Sequence, residues 1–166
     1  VKPTILVAVP RVLEKIHDKA IARSEELTGF KRAVFDWAFD IGLQASAMRR
    51  AGRTLDWFLR GRLKLADRLV LQKVRAALGG EIRLIISGGA PLAPELSEWF
   101  HAAGMLVVEG YGLTETSAPA TTNTPGSFRF GTVGKPIPGT ELAFEPDGEV
   151  LIRGPGVFVG YFRDEQ

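Results

Sequence analysis

The chain contains no cysteine, which excludes disulfides and any thiolate-bound metal and makes an intracellular protein the default expectation. It has two histidines. His17 and His101 each stand alone on an expected helix, without partners at metal-ligand spacing, so neither a histidine metal centre nor a catalytic imidazole is expected. Long hydrophobic runs are also missing. Residues 5–9 are typical of the longest, far short of a membrane span, and no cleavable signal pattern opens the chain. There is no internal repeat and no low-complexity tract. These absences leave a soluble or peripheral protein, expected in the cytoplasm.

With 166 residues, 45% hydrophobic and 24% charged, the chain can build one globular core but not most multidomain enzymes. Its net charge of +2 hides an asymmetry. Residues 1–80 carry 16 Lys+Arg against 8 Asp+Glu (+8), and residues 81–166 carry 5 against 11 (−6). The basic half could meet a polyanion such as CoA or an anionic membrane; solvated helix faces are the plainer explanation. Nucleic acid is not an expected partner.

Residues 4–9, β-branched between two prolines, predict a buried strand. Pro10 opens a helix with Leu13, Ile16, Ala20 and Leu27 near one face, ended by Gly29. A second helix is expected over residues 30–48, with Phe30, Val34, Trp37, Ile41, Ala45 and Met48 as its apolar stripe. A third spans about 54–78, kinked at Gly61 and stopped by Gly79 and Gly80. Residues 49–68 crowd Arg49, Arg50, Arg53, Arg60, Arg62, Lys64 and Arg68 around only two acids, Asp56 and Asp67. Residues 81–86 predict the next strand, leading into S-G-G-A-P-L at residues 87–92. A helix from Pro94 follows, with Leu96, Trp99, Phe100 and Ala103 inward, and then a strand from Met105. This β-loop-α-β unit implies a parallel sheet. Beyond Ala118 the helical period disappears. Strands are expected at 131–138, 140–145 and 149–153, the last two joined as a hairpin at Pro146-Asp147-Gly148.

The chain is organised around residues 107–116, V-V-E-G-Y-G-L-T-E-T. An apolar strand that breaks into glycines and polar groups suits a ligand loop at the carboxyl edge of an open α/β sheet. Gly110 and Gly112 would let the backbone turn or approach a ligand. Tyr111 offers a flat face for a heterocycle. Thr114 can donate to a phosphate oxygen, and Glu115 supplies the hard oxygen that Mg²⁺ takes when it also bridges substrate phosphates. A strand-end turn followed by a helix cap is the plainer alternative.

Other matches fail on particular residues. Residues 126–131 have P-loop glycine spacing, but Thr132 and Val133 replace the Lys and Ser/Thr that reach phosphate and metal. Glu115 stands where a dinucleotide fingerprint needs its third glycine. Ser87 lacks the glycine two residues earlier that a nucleophile elbow requires.

Tyr111-Gly112-Leu113-Thr114-Glu115 resembles the Y-G-x-T-E signature of the AMP-forming adenylating enzymes: acyl-CoA synthetases, luciferases and the adenylation domains of peptide synthetases. Residues 87–92 resemble that family's G-G-A-P loop, and residues 148–161 its G-E-x-x-x-x-G-x-x-x-x-x-G-Y segment. The likeness covers essentially the whole chain, and the helical insertion at 11–80 is most similar to long-chain fatty acyl-CoA synthetases.

The resemblance implies specific roles. Tyr111 would stack on adenine, with Gly88, Gly89, Ala90, Pro91, Gly110 and Gly112 lining the nucleotide. Thr114 would bind the α-phosphate and Glu115 would hold Mg²⁺, these two forming the catalytic pair. Gly112 and Leu113 would touch the acyl end. The implied fold is α/β: a partial parallel sheet flanked by helices over residues 1–122, then the antiparallel β segment of a small barrel subdomain over 123–166. The implied activity is ATP-dependent fatty acid–CoA ligation, with fatty acid and CoA as partners. Apart from the resemblance, the basic amphipathic stretch 49–68 could make peripheral contact with an anionic membrane, although such an apolar stripe is more often simply core. A fatty acyl-AMP ligase serving a carrier protein and a non-catalytic binding module are the alternatives. The family's phosphate loop, ribose-binding Asp and catalytic Lys are not found. The chain therefore reads as an internal piece of the large N-terminal domain, inactive in isolation.

Overall fold

Between its two prolines the β-branched opening run forms β1 (Ile5–Ala8), paired in parallel with β2 (Leu84–Ser87) so that Ile5 faces Leu84 and Ala8 faces Ser87. The computed structural model describes residues 2–163. It divides into two compact units, residues 1–107 and 108–166. β1 was expected to be buried. It is the edge strand of its sheet, and Ile5 and Val7 are exposed.

Between β1 and β2 the chain runs through four α-helices and one π-helical turn. Pro10 at the first turn opens α1 (Pro10–Glu25), which stops four residues before Gly29; Gly29, at φ +56°, instead precedes α2 (Phe30–Arg50). The buried face of α2 runs through Ala38, Ile41, Gly42 and Ala45. Expected in the stripe, Phe30 is exposed at the first position of α2. At Gly42, α2 meets α5 (Pro94–Ala102). A Cβ there would lie 2.6 Å from the Ala102 carbonyl oxygen, so only glycine allows this approach.

Aromatic side chains fill the same contact. Trp99 stacks on Phe39 at 4.9 Å and meets Phe100 edge-on. Phe100 is fully buried, a contribution of about 1.5–3 kcal/mol for such a side chain. His101 shares a 2.7 Å hydrogen bond between its Nδ1 and the Ser46 hydroxyl. Burial, with Arg49 and Arg50 adding to it, lowers His101 to about 4, so the ring is neutral near pH 7 and serves packing.

Asp56 caps α3 (Trp57–Ala66), accepting from the Leu59 amide at 2.7 Å. Gly61 does not kink this helix. The irregularity is a π-helical turn at Asp67–Leu71, before α4 (Gln72–Ala76). There Arg75 binds Asp67 through two bonds of 2.7 and 3.0 Å and donates to the Ala103 carbonyl at 2.8 Å. One guanidinium thus ties the π-turn to the end of α5. Gly79 and Gly80, both at positive φ, end the helical region as expected.

The second unit is antiparallel. β3 (Leu106–Leu113) begins just before it and pairs with β4 (Ala118–Thr122), which pairs with the two-residue β5 (Lys135–Pro136). The strand expected over 131–138 shrinks to β5 because Gly131 and Gly134 take positive φ. Buried Asn123 braces that loop, donating to the Thr132 carbonyl and accepting from the Arg129 amide at 3.0 Å. β6 (Glu141–Phe144) and β7 (Val150–Arg153) form the expected hairpin, with Gly148 at φ +92° in its turn.

Candidate functional site

Two segments carry the expected site residues, one in each unit. In the first, β2 ends at Ser87, whose buried hydroxyl has no hydrogen-bond partner among the described residues. Ser97, buried within the following helix, has an unpartnered hydroxyl too, so this feature does not single out the loop. The loop then surfaces. Gly89 sits at φ +83° with nothing near its missing side chain, Gly88 is half-buried, and Ala90 and Pro91 are exposed before buried Leu92 anchors the chain ahead of α5.

In the second unit the chain does not turn at Gly110 or Gly112, as the sequence suggested. Both lie within β3, neither at positive φ, and a β-bulge falls between Tyr111 and Gly112. Gly110 serves close approach to the chain itself: a Cβ would come within 3.1 Å of the Thr121 carbonyl oxygen on β4. Tyr111 is half-buried, and Gly112 and Leu113 are exposed.

The turn comes one step later, as a single 3₁₀ turn at Thr114–Thr116. Thr116 closes it. Its hydroxyl accepts from the Leu113 amide and donates to the Leu113 carbonyl, both at 2.9 Å. Ser117 follows at φ +58°, its amide bonded to the Thr114 carbonyl at 3.0 Å. Thr114 is left exposed and Glu115 half-buried.

Glu115 is held from a distant stretch of the chain. The Phe158 amide donates to its carbonyl at 2.8 Å, and the Tyr161 hydroxyl donates to its Oε1. The Tyr161 hydrogen bond, helped by one from the residue's own backbone amide, holds its carboxyl below the ordinary value; Glu115 raises the Tyr161 hydroxyl in turn. The carboxylate is therefore ionised near neutral pH. No group of three His, Cys, Asp or Glu side chains able to cage a metal occurs among the described residues. A lone anionic carboxylate suits Mg²⁺ that takes its remaining ligands from substrate phosphates and water.

Phe158 and Tyr161 were not singled out from the sequence, although the G-Y segment that contains them was. Two cavities lie in the first unit. One of about 780 Å³ is lined by α1, α2 and residues 69–78, among them Ile16, Phe35 and Val74, and none of the expected site residues borders it. Another, of about 470 Å³, gathers Arg49, Arg60 and Lys64 from the basic connection.

A helix-flanked parallel strand pair, a glycine loop after its second strand and a Thr-Glu turn after the next are elements of an α/β fold. The chain belongs to the AMP-binding enzyme family, whose model it matches over residues 1–162. It is 43% identical over 166 residues to the long-chain-fatty-acid–CoA ligase FadD15 of Mycobacterium bovis, covering 99% of this chain and 27% of that protein. With the human long-chain-fatty-acid–CoA ligase 6 it shares 34% identity over 174 residues, covering 98% and 23%. Among solved structures, the O-succinylbenzoate coenzyme A synthetase MenE from Bacillus subtilis, in complex with ATP and magnesium ion, is similar with a TM-score of 0.47 and 31% identity, covering 56% of this chain and 23% of that one. The chain spans about a quarter of the length of the curated relatives it matches.

Proposed function

We propose that the full-length protein is an ATP-dependent long-chain fatty acid–CoA ligase. The observation that carries this reading is the 43% identity, over 99% of the chain, to a relative named for that activity. Tyr111 would stack on adenine, with Gly88, Gly89, Ala90, Pro91, Gly110 and Gly112 beside the nucleotide. Thr114 would donate to the α-phosphate, and Gly112 and Leu113 would meet the acyl group. Glu115 would hold Mg²⁺, which supplies charge neutralisation at the phosphates when bound.

The fatty carboxylate attacks the α-phosphorus of ATP and pyrophosphate leaves. The CoA thiol then attacks the acyl carbonyl of the adenylate, loses its proton and releases AMP. No protein nucleophile is required; positioning and charge stabilisation carry both steps. The division into an α/β subdomain to residue 122 and a barrel segment beyond it belongs to the same proposal. Full-length protein given ATP, Mg²⁺, long-chain fatty acid and CoA is expected to form acyl-CoA, followed by mass spectrometry. Acyl-adenylate that accumulates untouched by CoA would redirect the acyl group to a carrier protein, and no adenylate would overturn the reading.

The same protein is proposed to meet anionic membrane surfaces through residues 49–68. Trp57, Phe58 and Leu65 are exposed among the cations of α3, with Arg62 over the Phe58 ring at 5.5 Å. Both local acids are engaged, Asp56 as a helix cap and Asp67 with Arg75. No helix among the described residues is long and apolar enough to cross a membrane, so contact would be at the surface. Binding to anionic vesicles should fall steeply with salt and on changing Arg60, Arg62 and Lys64 to Gln, at about 1 kcal/mol per basic residue. Equal sedimentation with neutral and anionic vesicles would return these residues to a solvated helix face.

A further inference from the structure

We propose that Tyr161 is a positioning residue for Glu115: residues 154–161 deliver its hydroxyl to one carboxylate oxygen and so hold the other oriented for Mg²⁺. This rests on the reading of Glu115 as the metal ligand and assigns a task to a segment that otherwise has none.

Three contacts from this one segment converge on the Thr-Glu-Thr turn. The Phe158 amide takes the Glu115 carbonyl at 2.8 Å. Gly156 lies so close that a Cβ would sit 2.8 Å from the Thr116 carbonyl oxygen. The Tyr161 hydroxyl takes Oε1. Main chain and side chain of the same glutamate are therefore held three residues apart on one strand of backbone. The segment is itself shaped for this. Gly160, immediately before Tyr161, has φ +146°, and the Phe158 and Tyr161 rings meet edge-on at 4.8 Å.

The chemistry distinguishes positioning from packing. Tyr161 is 54% exposed, so its ring buries little, and the hydroxyl is what sets it apart from phenylalanine. A carboxylate offers about four lone-pair directions over two oxygens. One hydroxyl on Oε1 occupies a single direction and leaves Oε2 for a cation. Groups that hydrogen-bond a metal ligand fix its orientation, and their removal typically costs 10–100-fold in metal affinity or activity.

The test is fatty-acid-dependent ATP–pyrophosphate exchange by the full-length protein, titrated with Mg²⁺, for wild type, Tyr161→Phe and Glu115→Gln. Tyr161→Phe is expected to raise the Mg²⁺ half-saturation about tenfold, with the larger part of the loss in that constant and not in the maximal rate. The denaturation midpoint should match wild type. The proposal is overturned if Tyr161→Phe leaves the Mg²⁺ dependence unchanged while Glu115→Gln alters it. Tighter Mg²⁺ activation in Tyr161→Phe would also overturn it, since the hydroxyl would then be a competitor. If neither variant changes the Mg²⁺ dependence, Glu115 is not the ligand, and both readings fall together.

Discussion

Glu115→Gln in the full-length protein is expected to cut fatty-acid-dependent ATP–pyrophosphate exchange by about a hundredfold or more, the usual loss when one charge-stabilising group is removed from an active site. The substitution is unusually clean here. The turn that presents residue 115 is closed by Thr116 on the Leu113 backbone and by the Phe158 amide on the residue's own carbonyl, and neither contact uses the carboxylate. A glutamine oxygen can still accept from Tyr161 as Oε1 does now. Shape and backbone persist, and only the charge that attracts Mg²⁺ is lost. Nucleotide affinity should change modestly, because stacking on Tyr111 does not depend on that charge. Exchange at the wild-type rate would remove Glu115 from the chemistry.

The second large effect concerns the 166-residue chain by itself. Given ATP, Mg²⁺ and fatty acid, it is expected to form no detectable acyl-adenylate, with activity recovered only in the full-length protein. In-line transfer requires triphosphate, metal and carboxylate to be held together, and a misplacement of about 1 Å can cost a hundredfold. The described residues offer a glycine loop, one aromatic, one exposed threonine and one carboxylate. They match neither the phosphate loop, nor the ribose-binding Asp, nor the catalytic Lys of the family they resemble. Such a set would hold ATP only at about millimolar affinity or weaker. The chain also exposes Ile5, Val7, Phe30 and Trp57, and apolar surface of this kind favours self-association. Acyl-adenylate formed in stoichiometric amount by the purified chain would show that the site is more complete than these residues indicate.

Where structure depends on local pattern, the sequence was a good guide. β1, α1, α2, α5 and the β6–β7 hairpin follow from proline boundaries, 3.6-residue stripes and a Pro-Asp-Gly turn. Tertiary contacts account for the misses. The π-turn at Asp67–Leu71 goes with an arginine eight residues away from Asp67, and Gly61, where the kink was expected, stays within regular helix. β4 escaped notice because A-P-A-T-T has no apolar alternation, and its strand is defined by pairing with β3.

The candidate site shows the same division. Tyr111, Thr114 and Glu115 were identifiable from residue chemistry and motif. Gly110 was read as a possible turn, whereas it lies within β3, where its bare Cα admits the Thr121 carbonyl of the neighbouring strand. The bond from Tyr161 to Glu115 joins residues 46 apart. No spacing rule reaches that far.

The most direct test is a structure of the full-length protein with ATP and Mg²⁺. Expected are Mg²⁺ at about 2.1 Å from a Glu115 carboxylate oxygen, adenine against the Tyr111 ring and the Thr114 hydroxyl on the α-phosphate. Nucleotide bound away from residues 110–115, with no metal at Glu115, would contradict the assignment of this turn as the adenylation site.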